Sequence, residues 1–230
     1  MSGKLKVLIL QHEEPTPPGY LLEWLDEQKA DVDVHRIDLH EWTHDPRDYD
    51  FIASLGSEFA AFDDSKPFIP REAELLRAAT KADVPVLGLC FGGQLLARVL
   101  GGKSFRSDHS EIGWLPVRSE DPDLVSEGPW FNWHFDTFTL PPGATLIAET
   151  AVAPQAYVVG RNLGLQFHPE VTPEIMEEWV RAYPHELEAE GVDPQGLLEE
   201  ARRRAADARR VTWRLLDRFR DVIATGARRA

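Results

Sequence analysis

Val84-Pro85-Val86-Leu87-Gly88-Leu89-Cys90-Phe91-Gly92-Gly93-Gln94 is the stretch from which the fold can be read. An apolar run leads into a cysteine, and a helix-like segment begins near Gly93. Where a buried strand turns sharply into a helix, the apex residue is forced toward strained backbone angles, and glycines two positions away on either side relieve the crowding. Gly88 and Gly92 stand at those two positions around Cys90. The turn exposes the sulfur at the carboxyl end of the sheet, beside a helix N-terminus whose partial positive charge favours a thiolate. Cys90 is the single cysteine in 230 residues. A lone thiol is often only a small buried hydrophobe; at the apex of such an elbow it reads as a nucleophile.

Outward from this turn, the first hundred residues alternate strand-like and helical patterns, as a mainly parallel sheet requires. Lys6 to Leu10, Val32 to Ile37, Phe51 to Ser54 and Val84 to Leu89 read as strands; Tyr20 to Lys29, Glu72 to Lys81 and Gly93 to Leu100 read as helices. The middle of the chain is more β-like, with short strands expected at Ser104 to Arg106, Gly113 to Val117, Thr145 to Glu149, Ala156 to Val159 and Leu163 to Phe167. Pro173 then starts a helix, Tyr183-Pro184 breaks it, and Gly191-Val192-Asp193-Pro194 precedes an Arg-rich C-terminal helix. The fold class is α/β: a mainly parallel central sheet flanked by helices, with extra C-terminal helices.

A second block supplies chemistry to match the elbow. Leu163-Gly164-Leu165-Gln166-Phe167-His168-Pro169-Glu170 is a short apolar strand ending in His-Pro-Glu. In extended chain, residues two apart point to the same side, so Glu170 can orient one nitrogen of His168 while the other faces a nucleophile. Nucleophile, base and orienter are recognised by role rather than by order in the chain.

The blocks Gly-Leu-Cys-Phe-Gly-Gly-Gln at 88 to 94 and Gln-Phe-His-Pro-Glu at 166 to 170 resemble those of class I, triad-type glutamine amidotransferases. The layout is similar to the stand-alone members, both GMP-synthase-glutaminase-like and γ-glutamyl-peptidase-like. The likeness runs from Val7-Leu8-Ile9-Leu10-Gln11-His12-Glu13 through Glu111-Ile112-Gly113-Trp114 and Trp133-His134-Phe135-Asp136, over about residues 5 to 182. It implies a flavodoxin-like catalytic domain at 1–182, with 183–230 as a C-terminal helical extension packed on it. It also implies Cys90, His168 and Glu170 as the triad and Gln94 as a substrate-pocket residue. Cys90 would attack the side-chain amide of glutamine, His168 would protonate the departing ammonia, and water would hydrolyse the γ-glutamyl thioester left on the enzyme. The oxyanion would be held by backbone N–H groups of Phe91 and of the loop Leu55-Gly56-Ser57-Glu58. Many relatives have Gly-Gly-Pro in that loop; Gly56-Ser57 resembles the stand-alone branch that includes γ-glutamyl peptidases. Glu58 is either a substrate-ammonium contact or a solvated surface acid, the commoner fate of such a residue.

Three functional readings follow. As a glutaminase, the protein hands ammonia to a synthase on another chain, since no ATP-binding Gly-x-x-x-x-Gly-Lys-Ser/Thr follows. As a γ-glutamyl peptidase or hydrolase it works alone on a γ-glutamyl amine or peptide. The third, a non-catalytic binding protein of the same fold, sits poorly with an intact Cys90, His168 and Glu170.

Composition bounds the rest. With 43% hydrophobic residues the chain can build a sizeable core. It has no apolar run near the ~20 residues that span a bilayer, and Met1-Ser2-Gly3-Lys4-Leu5 leads directly into a strand, so a cytoplasmic, non-membrane protein is expected. One thiol forms no internal disulfide, which agrees with a reducing compartment. The net charge of −14 argues against a nucleic-acid partner. Residues 200–230 reverse the sign, with ten Arg against Glu200, Asp207, Asp217 and Asp221. Val211, Leu215, Leu216, Phe219, Val222 and Ile223 give this tail an apolar stripe at helical spacing, best satisfied by docking on the acidic body. The same charge asymmetry permits a homodimer. The aromatic run Trp130 to Phe138 reads as a half-buried strand; its His-x-Asp segment is similar to one near the active site of stand-alone amidotransferases, which implies a pocket wall with His134 and Asp136 as substrate contacts. The eight histidines form no metal-ligand spacing, so no metal and no cofactor are expected.

Overall fold

The computed structural model describes residues 4–42 and 45–225. Met1-Ser2-Gly3 and the tail residues Arg228 and Arg229 lie outside the described residues.

An eight-stranded sheet forms the centre, built from β1 (Lys6–Gln11), β2 (Asp31–Arg36), β3 (Phe51–Ser54), β4 (Val86–Leu89), β6 (Arg118–Ser119), β8 (Thr145–Glu149), β9 (Pro154–Val159) and β10 (Asn162–Leu165). Its order is β2-β1-β3-β4-β10-β9-β8-β6. The pairs from β2 to β10 are parallel, and those from β10 to β6 are antiparallel. Period-two alternation sorts the apolar side chains. Val7, Ile9, Phe51, Ala53, Leu87 and Leu89 face one buried layer, while Leu8, Leu10, Ile52 and Val86 face the other. Burial on both faces explains why these strands read as continuous apolar runs.

On the first face pack α1 (Gly19–Glu27) and α6 (Pro194–Arg218); on the second pack α2 (Phe68–Lys81) and α3 (Phe91–Val99). The shorter α4 (Pro173–Ala182) and α5 (Pro184–Glu190) cover the second sheet, an antiparallel pair of β5 (Ser104–Leu115) and β7 (Trp130–Phe138). Two local expectations change. Ser104 to Arg106 and Gly113 to Val117 are not separate strands: β5 runs from Ser104 to Leu115, with a register shift between Arg106 and Glu111 against β7. Nor does α2 begin at Glu72. It starts at Phe68, because Pro70 lies in the first turn, where its missing N–H has no intrahelical partner to lose.

The tail docks on the body's own acidic surface. Leu215, Leu216 and Phe219 are buried in the first layer, while Arg209 pairs with Glu23 and Glu27, Arg202 with Glu177 and Arg214 with Asp123. Exposed pairs of this kind contribute little each, so the apolar stripe is the main anchor. One buried polar contact links the tail to the segment after β10: Thr212 Oγ1 donates to the Pro169 carbonyl at 2.8 Å.

Candidate active site

Strand β4 ends and α3 begins at Cys90, whose φ of 47° and ψ of −106° put it in a strained region for a residue with a side chain. The turn closes because both flanking glycines lack a Cβ. One on Gly88 would stand 2.5 Å from the Gly92 carbonyl oxygen, and one on Gly92 would stand 2.1 Å from the Ser54 carbonyl oxygen. Cys90 N–H donates to Leu165 O at 2.9 Å, which ties the elbow to the strand that delivers the histidine.

Past β10 the chain bends and His168 N–H donates to Phe131 O on β7 at 2.8 Å. The ring nitrogen Nδ1 of His168 lies 2.7 Å from Glu170 Oε1, and Nε2 has no hydrogen-bond partner among the described residues. Glu170 is itself held, since its carbonyl accepts the Tyr20 N–H at 2.9 Å. Burial opposes charge on His168, but the neighbouring Glu170 and Cys90 outweigh it and the imidazole pKa is pushed up to about 10. The edge of Trp179 packs against the His168 ring, with centroids 4.8 Å apart.

Gly56 completes the centre. A Cβ there would lie 2.8 Å from His168 Cε1 and 3.9 Å from Cys90 Cβ, so the absent side chain leaves room for the imidazole. The Ser57 N–H makes no hydrogen bond to another described residue. Phe91 N–H opens α3, where no intrahelical acceptor exists.

Gly56, Ser57, Cys90, Phe91, His168 and Trp179 line an open cleft, together with Glu58, Phe59, Gln94, Arg106, Trp133, Asp136, Tyr183 and Glu186. Glu58 is exposed on its rim. Gln94 turns its amide nitrogen to Asp136 O (3.0 Å) and Gln166 Oε1 (3.2 Å). His134 also borders the cleft, but Nδ1 lies 3.0 Å from Asp136 O and Nε2 lies 3.0 Å from Glu111 Oε2. Both ring nitrogens are thus committed to the protein. Asp136 pairs with Arg106 at 3.4 Å; burial raises its pKa and Arg106 works against the rise. Burial, then the charges of Glu13, Glu58 and Glu186, raise the Tyr183 phenol, so this side of the mouth is aromatic and acidic. Among the described residues no group of three or more His, Cys, Asp or Glu is arranged to hold a metal ion, and no helix is long and apolar enough to cross a membrane.

Sequence reasoning missed several residues here. Gln166 Nε2 approaches Cys90 Sγ at 3.6 Å, a donor aimed at the sulfur from within the histidine block itself. Trp179 comes from α4 and Tyr183 from the break between α4 and α5, a helix and a break to which the sequence reading gave no part in the site. His12, Ser54 and Glu72 form a buried network under the Gly56 loop. For Glu72 there was a signal: it falls four residues after Phe68 and four before Leu76, on the apolar stripe of α2.

The arrangement can be set beside known proteins. A sequence profile of the family described as glutamine amidotransferase class-I matches residues 24–181. The crystal structure of a glutamine amidotransferase from Thermotoga maritima superposes with a TM-score of 0.88 at 32% identity, covering 95% of this chain and 99% of that one. A glutamine amidotransferase from Methylobacillus flagellatus gives 0.87 at 29% identity, covering 99% and 97%. The GMP synthase (glutamine-hydrolyzing) of Alkalilimnicola ehrlichii is 39% identical over 139 residues, which are 53% of this chain and 25% of the synthase. The chain therefore spans about a quarter of the length of the curated synthases it matches. With the profile match, the shared fold and the nearly full-length likeness to solved amidotransferases, the chain belongs to the class I glutamine amidotransferase family.

Proposed function

We propose that this protein hydrolyses the side-chain amide of glutamine through a γ-glutamyl thioester on Cys90 and passes the ammonia to a synthase on another chain. The observation that carries the proposal is the ordering of His168: Nδ1 is fixed by Glu170 at 2.7 Å, and Nε2 is buried with no hydrogen bond among the described residues while Cys90 stands beside the ring. A buried nitrogen of this kind calls for a partner, and a thiol proton or a leaving amine meets that need. A histidine held up to about pKa 10 by Glu170 and Cys90 is protonated at neutral pH, as the first step requires.

The steps follow from the groups in place. The Cys90 thiolate attacks the amide carbon, and the charge moving onto oxygen is met by the N–H groups of Ser57 and Phe91. His168 delivers its proton to the amine as the C–N bond breaks. A water then attacks the thioester, with His168 taking its proton while Glu170 steadies the imidazolium and stays ionised. Arg106 on one side of the cleft suits the substrate carboxylate. Glu58, with Glu186, suits its ammonium. Gln94 and Asp136 shape the pocket between them, and His134 fixes that wall. A nucleophilic thiol fits a reducing compartment, so we place the protein in the cytoplasm.

A second reading, a γ-glutamyl peptidase or hydrolase acting on larger amines, is favoured by one feature. The cleft is open to solvent and is lined beside His168 by Trp133, Trp179 and Tyr183, an aromatic surface that suits a leaving group larger than ammonia. Glutamate release from glutamine and from γ-glutamyl amines and dipeptides separates the readings, with Cys90→Ser as control. Turnover of glutamine alone, or of glutamine only with a synthase present, supports the first; preference for the larger substrates supports the second. Turnover that survives Cys90→Ser contradicts both.

A further inference from the structure

The two residues that follow β1, His12 and Glu13, grip two consecutive residues of the loop after β3. His12 Nδ1 lies 3.0 Å from the Gly56 carbonyl oxygen, and the Ser57 hydroxyl donates to Glu13 Oε1 at 2.5 Å. On its other side, His12 Nε2 lies 2.7 Å from Glu72 Oε2, while Ser54 Oγ donates to Glu72 Oε1 at 2.6 Å. His12, Ser54 and Glu72 are each 0% exposed. The Phe91 ring meets His12 edge-on at 4.6 Å. One imidazole therefore touches both segments from which the oxyanion donors come.

Chemistry fixes the hydrogen on this ring. Only a donor can face a carbonyl, so Nδ1 carries hydrogen wherever the proton shared with Glu72 resides. Burial opposes a charge on His12, yet Glu72 outweighs it and the pKa is raised. Stability alone does not demand such a pair, because an apolar pair of similar volume often serves a core as well. What an apolar pair cannot do is hold the Gly56 carbonyl. A trans peptide is planar, so the carbonyl of Gly56 and the N–H of Ser57 point in opposite directions. Fixing the carbonyl toward His12 aims the N–H away from it. Glycine at position 56 would otherwise leave this peptide free to rotate.

We propose that His12, held by Glu72, is a positioning residue that locks the Gly56–Ser57 peptide with its N–H toward the cavity above Cys90, while Glu13 holds the Ser57 side chain clear. This rests on the glutaminase reading above, and its variants separate the two bonds of the imidazole. His12→Gln places an amide near Nε2, keeping Glu72 partnered and losing the bond to Gly56. His12→Asn places an amide near Nδ1, keeping the bond to Gly56. Three readouts are compared: kcat and KM for glutamate release, Cys90 labelling by a diazoketone analogue of glutamine, whose carbonyl must occupy the oxyanion site, and Cys90 alkylation by iodoacetamide, which needs no such site.

With the lock, His12→Gln loses about 10²-fold or more in kcat, the usual effect of a lost oxyanion donor, with little change in KM. Its diazoketone labelling slows in parallel, its iodoacetamide rate stays at the wild-type value, and His12→Asn recovers most of the loss. The proposal is overturned if His12→Gln keeps wild-type kcat, or if the two variants lose activity equally. If His12→Gln does not fold, the apolar pair His12→Leu with Glu72→Leu is read by the same criteria. A wild-type protein that neither releases glutamate nor takes the diazoketone refutes the glutaminase reading itself, and the lock with it.

Discussion

Gly56→Ala isolates the active-site geometry with one methyl group. Gly56 does not have a positive φ, so alanine meets no left-handed backbone penalty there, and the effect is read from the space available to the new Cβ. The new Cβ would stand 2.8 Å from His168 Cε1 and 3.5 Å from His168 Nδ1. Carbon atoms settle at about 3.5–4.0 Å, so the loop or the imidazole must yield by roughly 1 Å. The imidazole is pinned by Glu170 at 2.7 Å and by the Trp179 ring at 4.8 Å. Strain therefore passes to the Ser57 N–H, to the Cys90–His168 alignment, or to both. A displacement of about 1 Å at a reacting centre costs on the order of 10²-fold in rate, or about 2.7 kcal/mol of barrier. The assay is kcat for glutamate release, with thermal unfolding to show that the variant is folded. A folded Gly56→Ala with kcat within a few-fold of wild type would refute the packing argument for the centre.

Four further outcomes are expected. Cys90→Ala abolishes turnover while the fold is retained, checked by glutamate release and thermal unfolding. Glu170→Gln lowers the His168 pKa, which the native fold raises from 6.5 to about 10. A raised pKa lends stability that is fully present below pH 6.5 and is lost as pH climbs through about 10. The gap in Tm between wild type and Glu170→Gln should thus be widest near pH 6.5 and close toward pH 10, as a pH series of melting curves would record. Gly88→Ala puts a Cβ 2.5 Å from backbone at Gly92 and should prevent correct folding rather than slow catalysis, which soluble yield and unfolding curves would show. Thr212→Val, removing the 2.8 Å hydrogen bond to the Pro169 carbonyl, should cost about 1–3 kcal/mol by denaturant unfolding.

Much of the architecture was legible because local and tertiary signals agreed. The apolar runs at β1, β3 and β4 are long enough to be buried on both faces and carry little competing polarity. The elbow was legible because its glycines are demanded by backbone crowding; His168 and Glu170 were legible as a close pair, although the chain turns there after β10 ends at Leu165 instead of staying extended as their spacing suggests. Other features lay beyond local reading. The helix α2 read as starting at Glu72, yet it begins at Phe68 and carries Pro70 in its first turn. The strand β5 crosses Gly113, with φ of 127°, and is continued across that residue by its pairing with β7. His134 sits in the motif expected to face substrate, but its ring nitrogens are taken by Glu111 and a backbone carbonyl. Glu111 is 23 residues away in the chain. The His12–Glu72 pair spans 60 residues and joins a strand end to a helix, which no spacing rule reports. Long-range polar pairing between buried groups is the class of information that the linear pattern withheld.

The central claim is that Cys90 carries the substrate as a γ-glutamyl thioester. Intact-mass spectrometry of protein mixed with glutamine, or with the best γ-glutamyl amine from the substrate panel, and quenched in acid within the first turnovers tests it directly. The account predicts a γ-glutamyl adduct that maps to Cys90, disappears on treatment with hydroxylamine and is absent from Cys90→Ala. Glutamate released without any such adduct, or an adduct on a residue other than Cys90, would contradict it.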